Sequence, residues 1–513
     1  MCRARTCSSD PRSSSSPAFS SRIARRRKSS PCPRPTCRHT CHDDALFKSP
    51  AAVRRVQNHS RISIPTTHRR LVIMSMASPI DPTMQGVVWT KTLQETVRDY
   101  PRLSGGETAD LVVIGAGYSG LNTAIHAAKN GLRVVVLEAG RVGNGAAGRN
   151  GGYNVPQFPG GITPSVVEAS VGRRKGLALA DLVLHGADAV FRQIEAFQIK
   201  CSAVQNGWMQ PAHSDASMQR VRKVHDEWKA LGAKVTWHSA ADVADLLGAQ
   251  GYLGGWSNAE GGTVNPYSLS VGLARAAEQS GVRIFENSAV DGFEETAQGV
   301  VVRCGASRVS ARSAVFATNA YTGDFLPAVQ KSVIPVYLYH VATKPLSEAL
   351  RQKILKTQLC FTDLRKSGGF GRLDSEGRLI SGGAVFDFGN KVAYGENHAR
   401  GRMKMLFPQL TDDDIQLESY WEGYCAVTDS YLPHILRLGR NVFSVGGFST
   451  RGVNLAQNLG RLMGEFIAGK RELDDVPVNV YDQRNDVALW SVKTRAARYV
   501  FPYYRLKDRL GMT

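Results

Sequence analysis

The chain has 513 residues with 42% hydrophobic and 8% aromatic content, which excludes a wholly disordered or fibrous protein and leaves room for two to three domains. A formal charge of +20 suggests nucleic acid or an anionic surface, yet residues 1–76 hold 16 Lys/Arg against Asp10, Asp43 and Asp44, a net +13 that leaves only +7 for the rest. No apolar run is long enough for a transmembrane helix.

Residues 1–76 are rich in Arg, Ser and Pro, as in Arg25-Arg26-Arg27-Lys28, and are expected to be a disordered basic tail. Three readings fit it: an organelle transit peptide, a nucleic-acid-binding arm, or a mis-assigned start with translation beginning at Met74, Met76 or Met84. Cys32, Cys37, Cys41 and His42 lack a second ligand pair at zinc-finger spacing, so no metal site is expected. Beyond the tail, Cys201, Cys304, Cys360 and Cys425 are too scattered for a disulfide framework, which fits a cytoplasmic location, or a mitochondrial one if the tail is a transit peptide.

The first chemical signal follows Asp110-Leu-Val-Val-Ile114, a β-branched run of the kind that forms a strand buried on both faces. It enters Gly115-Ala116-Gly117-Tyr118-Ser119-Gly120, then a helical stretch over 121–130, then a second strand, Arg133 to Leu137, ending at Glu138 and Ala139. Gly115 permits the tight turn, Gly117 lets backbone N–H groups approach a pyrophosphate, Gly120 lets helix and strand pack closely, and Glu138 is placed to accept both ribose hydroxyls. Strand, glycine turn, helix, strand and acid together predict a dinucleotide site.

The next segment, Gly145-Ala146-Ala147-Gly148-Arg149-Asn150-Gly151-Gly152, places small residues and backbone donors where a bulky flavin ring would lie. No later strand carries a second glycine fingerprint, so FAD is preferred over NAD.

With these motifs the chain resembles the D-amino-acid oxidase superfamily of FAD-dependent oxidoreductases, and within it the gamma-glutamylputrescine oxidoreductase group. The resemblance covers roughly residues 98–513 and includes Gly207-Trp-Met-Gln-Pro-Ala-His213-Ser214, Ala317-Thr318-Asn319-Ala-Tyr321, Gly371-Arg372-Leu-Asp, Thr428-Asp-Ser-Tyr-Leu-Pro433-His434 and Gly446-Gly447-Phe448-Ser449. Two departures stand out: Thr450-Arg451-Gly452 replaces the Gly-His-Gly type of triplet common in relatives, and Ala146-Ala147 replaces Ala-Ser.

The resemblance implies an α/β fold with a Rossmann-like FAD-binding domain assembled from discontinuous segments, 98–160, 256–324 and 425–475. A second, α+β substrate domain, 161–255 and 325–424, would roof the flavin with its sheet, and 476–513 would pack on the body as a C-terminal extension. It also implies that Val290 clamps adenine through its backbone, that Thr318 and Asn319 approach the cofactor, and that the loop Gly446 to Gly452 leads into a helix beginning at Val453 whose N-terminus faces the flavin. Arg372 would face the flavin from the roof, and Arg149 and Arg451 would lie beside it; these three arginines are the candidate catalytic residues. His213, His340 and Tyr337 would fall in the roof.

The expected reaction is oxidation of a primary or secondary amine by hydride transfer to the flavin, with oxygen or another electron acceptor completing the cycle. A dehydrogenase serving a quinone or carrier protein, and a non-catalytic protein binding flavin or, through its tail, nucleic acid, are the alternatives; no nucleic-acid partner is expected on the leading reading.

Overall fold

Leu111, Val112, Val113 and Ile114 are all buried, so the first long strand must be covered on both faces, as in the centre of a parallel sheet. The computed structural model describes Met84 and residues 86–513; the basic tail of residues 1–76, with its cysteine cluster, lies outside the described residues.

The chain runs β1 (Gly106–Ile114), α1 (Tyr118–Lys129), β2 (Val134–Leu137), α2 (Arg173–Ala196), β3 (Trp208–Ala212), α3 (Asp215–Ala230), β4 (Val235–Ser239) and β5 (Gly254–Asn258). It continues through α4 (Pro266–Gln279), β6 (Arg283–Phe285), β7 (Gly292–Thr296), β8 (Gly299–Cys304), β9 (Ser307–Phe316), β10 (Ile334–Pro345), β11 (Cys360–Thr362), β12 (Phe370–Leu373) and β13 (Arg378–Ala384). The last elements are α5 (Lys391–Leu406), β14 (Leu417–Val427), β15 (His434–Arg437), β16 (Val442–Gly446), α6 (Gly452–Ile467), β17 (Asn479–Asp482), α7 (Trp490–Ala497) and α8 (Phe501–Arg509). Shorter turns and helices connect them.

One sheet has the order β17-β15-β16-β9-β1-β2-β6, with β7 and β8 added antiparallel beside β9. Its centre is parallel: β1 lies between β9 and β2, and β9 also pairs with β16, over 100 residues downstream. The second sheet has the order β14-β10-β13-β12-β11-β3-β5-β4. This is the mixed α/β architecture expected from sequence.

The sheets cross the sequence-based segment boundaries in two places. Helix α2, expected in the second domain, packs in a core shared by α1 and α6 with β3, α3 and β5, and Asn454 and Asn458 of α6 donate to the Val183 and Gly186 carbonyls. Strand β5 belongs wholly to the second sheet, through β3 and β4, so 256 is not a boundary. Strand β17, expected in a C-terminal extension, pairs with β15 and edges the first sheet.

Candidate active site

The turn after β1 is built on glycine for two separate reasons. Gly115 has φ +103°, which L side chains rarely adopt, and a Cβ on Gly120 would stand 1.9 Å from the Gly115 carbonyl oxygen, so α1 rests directly on the turn. At Gly117 the nearest atom to a Cβ would be that of Ala147, 3.9 Å away, so space stays open above the N-terminus of α1. The unpaired N–H groups and positive dipole end there suit an anion such as a pyrophosphate.

Glu138 closes the other side of the turn. Its Oε2 accepts from the Ala116 N–H at 2.7 Å and its Oε1 from the Gly140 N–H at 3.1 Å. Burial pushes its carboxyl above the usual range, while these two N–H donors favour the charged form. Each oxygen keeps a lone pair for one hydroxyl of a ribose.

A cavity of about 900 Å³ opens from this turn. Of the residues expected at the cofactor, Gly115, Ala116, Gly117, Tyr118 and Ser119 line it, followed by Glu138 and Ala139. Gly145, Ala146, Ala147, Arg149, Asn150 and Gly151 form a second wall, and Val290, Thr318 and Asn319 a third. Phe448, Ser449, Gly452 and Val453 complete it, so the N-termini of both α1 and α6 open into one space.

Four expected cofactor residues lie behind this surface. A Cβ on Gly148 would stand 2.2 Å from the Gly143 carbonyl oxygen, so Gly148, like Gly120, serves packing within its loop. Gly446 ends β16, and the Gly447 N–H is bound by Asn319 Oδ1 at 3.0 Å; neither lines the cavity. Asn150 does line it, but its amide donates to the Ala146 and Ala147 carbonyls and accepts from the Gly152 N–H, so it shapes the loop.

The three arginines divide. Arg372, expected to face the flavin, does not line the cavity: its buried guanidinium donates to the carbonyls of Gly151 at 3.2 Å, Gly152 at 3.1 Å and Val264 at 2.7 Å, and lies 5.1 Å from the Trp89 ring. It is a positioning residue that pins the glycine segment from behind. Arg149 lines the cavity and ties the same segment to the second sheet, its Nε donating to the Asn144 carbonyl while its own carbonyl accepts from Trp421 Nε1 at 2.8 Å. Arg451 also lines the cavity; it donates to the Gln157 carbonyl at 2.9 Å and to Thr450, and burial lowers its pKa to about 10. It therefore remains a cation at neutral pH, held by oxygen dipoles.

The opposite wall comes from the second sheet. Alternation along β10 turns Ile334, Val336, Leu338 and His340 into the cavity, beside Gly423 and Cys425 of the neighbouring strand β14. His340 is stacked on Trp421, and burial lowers its pKa to about 4, so it is neutral. Burial raises the Cys425 thiol to about 11. His213 is turned elsewhere, its Nε2 meeting Thr513 Oγ1 at 3.2 Å, and Tyr337 is stacked on Tyr424.

Sequence reasoning missed two parts of the wall. The loop between β11 and β12 contributes Asp363, Arg365 and Lys366, with Asp363 and Arg365 ion-paired and nearly buried; its Gly368-Gly369 pair was the available signal. Lys493, Ala496, Ala497, Val500 and Tyr504 reach the cavity from the C-terminal helices; the aromatic and basic mixture of Arg495 to Arg509 admits a membrane-surface or nucleic-acid element, and its likeness to the family's ending favours packing on the body, neither of which signals a cavity wall.

The residues present fit FAD: a turn that leaves room for phosphate, an acid with free lone pairs for ribose, two helix N-termini and a cavity extending beneath an apolar wall. The FAD-dependent oxidoreductase family matches residues 110–466, and a pyridine nucleotide-disulphide oxidoreductase family matches 48–146, which includes the same glycine turn. The chain is 30% identical over 419 residues to gamma-glutamylputrescine oxidoreductase of Escherichia coli, covering 80% of this chain and 96% of that one. It is 29% identical over 420 residues to the probable oxidoreductase OrdL of Haemophilus influenzae, covering 80% and 94%. Its fold is similar to that of glycine oxidase from Geobacillus kaustophilus, with a TM-score of 0.61 and 20% identity over 71% of this chain and 96% of that one. By its glycine turn, its cavity and these similarities, the chain belongs to the D-amino-acid oxidase family of FAD-dependent oxidoreductases.

Proposed function

We propose that the protein oxidises a primary or secondary amine, of the γ-glutamyl-amine or amino-acid type, in the cavity between its two sheets. The glycine turn, Glu138 and the N-terminus of α6 would hold FAD, whose chemistry would be acceptance of a hydride from the carbon next to the amine nitrogen, leaving an imine that water hydrolyses.

The chain's own residues desolvate, orient and balance charge. An amine gives up hydride only as the neutral base, and the wall of Ile334, Val336 and Leu338 disfavours the ammonium form. Neutral His340 adds no opposing charge. Protonated Cys425 offers no thiolate for covalent attachment, which favours a dissociable flavin. Arg451 supplies fixed positive potential to an enclosed space, where it acts strongly on developing negative charge. The observation that carries the proposal is this facing of an apolar wall and a cofactor cradle across one cavity. The similarity to the gamma-glutamylputrescine oxidoreductase of Escherichia coli supports a γ-glutamyl amine as substrate. The four described cysteines are free, in keeping with a reducing compartment such as the cytoplasm, or with mitochondria if the tail is a transit peptide.

The test is anaerobic mixing of purified protein with γ-glutamyl amines, polyamines, N-methylglycine derivatives and D-amino acids while the flavin band is followed. Bleaching by a γ-glutamyl amine or an amino acid is expected, and no bleaching by any of them overturns the proposal. Admitting oxygen then distinguishes an oxidase, which regains colour quickly, from a dehydrogenase. Deleting residues 1–76 is expected to leave flavin content and turnover unchanged; loss of both would favour the non-catalytic reading.

A further inference from the structure

Residues 484–513 carry seven Lys/Arg against Asp486 and Asp508. Helices α7 and α8 follow one another with little interruption in backbone hydrogen bonding: the Val500 N–H donates to the Ala496 carbonyl at 2.9 Å and the Tyr504 N–H to the Val500 carbonyl at 3.1 Å. One side of the pair faces the protein. Phe501 is fully buried, Ala497, Val500 and Tyr504 line the cavity, and the Asp508 carboxylate accepts from the backbone N–H groups of Lys366 and Ser367.

The other side is apolar as well. Tyr499, Tyr503, Leu506 and Leu510 succeed one another at intervals of four, three and four residues, a single helical stripe, and are 54%, 55%, 55% and 63% exposed. Val492 and Met512 extend the exposed apolar surface at either end. A contiguous exposed stripe of this kind marks an interaction surface. Most of its charged neighbours are cations: among the described residues no carboxylate pairs with Arg495, Arg505, Lys507 or Arg509, while Arg498 pairs with Asp387 and Lys493 with Asp429.

We propose that this face docks on an anionic lipid bilayer, with the Tyr and Leu side chains in the headgroup and acyl boundary and the flanking cations on lipid phosphates. Long cationic side chains beside an apolar stripe are suited to that boundary, where their heads reach anionic headgroups. A second copy of the chain fits less well, because a two-fold interface would press the stripe and its cations against the same cations, with Asp508 turned inward. No helix among the described residues is long and apolar enough to cross a membrane, so the docking is peripheral. Since the inner side of the same helices lines the cavity, docking holds that wall about one helix diameter, roughly 10 Å, from the lipid surface.

The test is co-sedimentation of the full-length flavin-loaded protein with vesicles of phosphatidylcholine alone or mixed with phosphatidylglycerol. Binding only to the mixed vesicles is expected. The Leu506→Ser/Leu510→Ser variant keeps every charge, including those of residues 1–76, and is expected to bind roughly tenfold more weakly or less. The Arg495→Glu/Arg509→Glu variant, which keeps the net +13 of residues 1–76, is expected to bind the mixed vesicles more weakly than the unaltered protein, with flavin absorbance confirming that both variants fold. Failure of the unaltered protein to bind, or equal binding by the serine variant, overturns the proposal. A dimer without vesicles that the serine variant converts to monomer also overturns it, in favour of a second copy as the occupant.

Discussion

The Glu138 carboxylate accepts a 2.7 Å hydrogen bond from the Ala116 N–H, which locks the end of β2 to the glycine turn that follows β1. The acid thereby orients the turn and presents its remaining lone pairs to the cavity. Glu138→Gln puts an N–H₂ group opposite one of two N–H donors, Ala116 or Gly140. The neutral amide also accepts more weakly from the ribose hydroxyls; a charge-assisted hydrogen bond is worth about 1.5–3 kcal/mol, so FAD titration of the apoprotein is expected to give a dissociation constant raised ~10- to 100-fold.

Gly117 and Gly120 separate cofactor binding from folding. A Cβ on Gly117 meets only Ala147, at 3.9 Å, so Gly117→Val is expected to fold with an unchanged apoprotein melting temperature while its methyl groups occupy the cavity and the protein emerges colourless. Gly120→Val drives Cβ to 1.9 Å from the Gly115 carbonyl oxygen and is expected to yield little soluble protein. A yellow Gly117→Val protein that bleaches normally with an amine would refute the placement of the cofactor.

The part of the site readable in advance was the part held together by neighbours in sequence. From β1 to Glu138 the strand, turn, helix and acid span under 35 residues, and each step leaves a local mark in glycine, β-branched or acidic residues. Arg372 shows the limit. Its partners are the carbonyls of Gly151, Gly152 and Val264, more than 100 residues away, and backbone carbonyls carry no sequence signature, so its strand was legible and its direction was not. Helix α2 shows a similar limit: an amphipathic pattern reveals that one face is buried, but not that it is shared between residues of both layers or that Asn454 and Asn458 of α6 bond its Val183 and Gly186 carbonyls.

Arg451 is a buried cation on the cavity wall, bound to the Gln157 carbonyl. If it stabilises the negative charge of a reduced flavin, Arg451→Met lowers the two-electron reduction potential by about 30 mV or more, equivalent to ~1.4 kcal/mol. Spectroelectrochemical titration of the loaded variant against the unaltered protein measures this directly. An unchanged potential would assign Arg451 to holding the Gln157 loop instead.

Acidification is expected to destabilise the fold before the carboxylates titrate. Burial depresses His340 and His434 to about 4 and His398 to about 3, from an ordinary value of 6.5. Their stabilising contribution is complete above pH 6.5; as pH falls towards 4 the unfolded chain takes up protons that the folded one refuses, draining up to about 1.4 kcal/mol per pH unit for each histidine. His340→Phe preserves an aromatic ring beside Trp421 and Phe370 and removes one titrating group. Urea titrations at pH 5 and pH 7 are expected to show a smaller difference for the variant.

Asp508 joins the C-terminal helix to the loop that forms part of the cavity wall. Its carboxylate accepts from the Lys366 N–H at 3.2 Å and the Ser367 N–H at 2.9 Å, and also from Thr513 Oγ1, while Ser214 Oγ donates to the Thr513 carbonyl. Asp508→Ala leaves two backbone donors of the loop without their acceptor, a cost of about 1–3 kcal/mol for each group that stays buried. Because Arg365 and Lys366 line the cavity and the glycine turn lies on another element, the loss falls on substrate rather than on cofactor. The expected result is normal flavin content, a raised KM with kcat nearly unchanged, and faster proteolysis within residues 363–369. Loss of flavin in Asp508→Ala would mean that the loop also supports the cofactor.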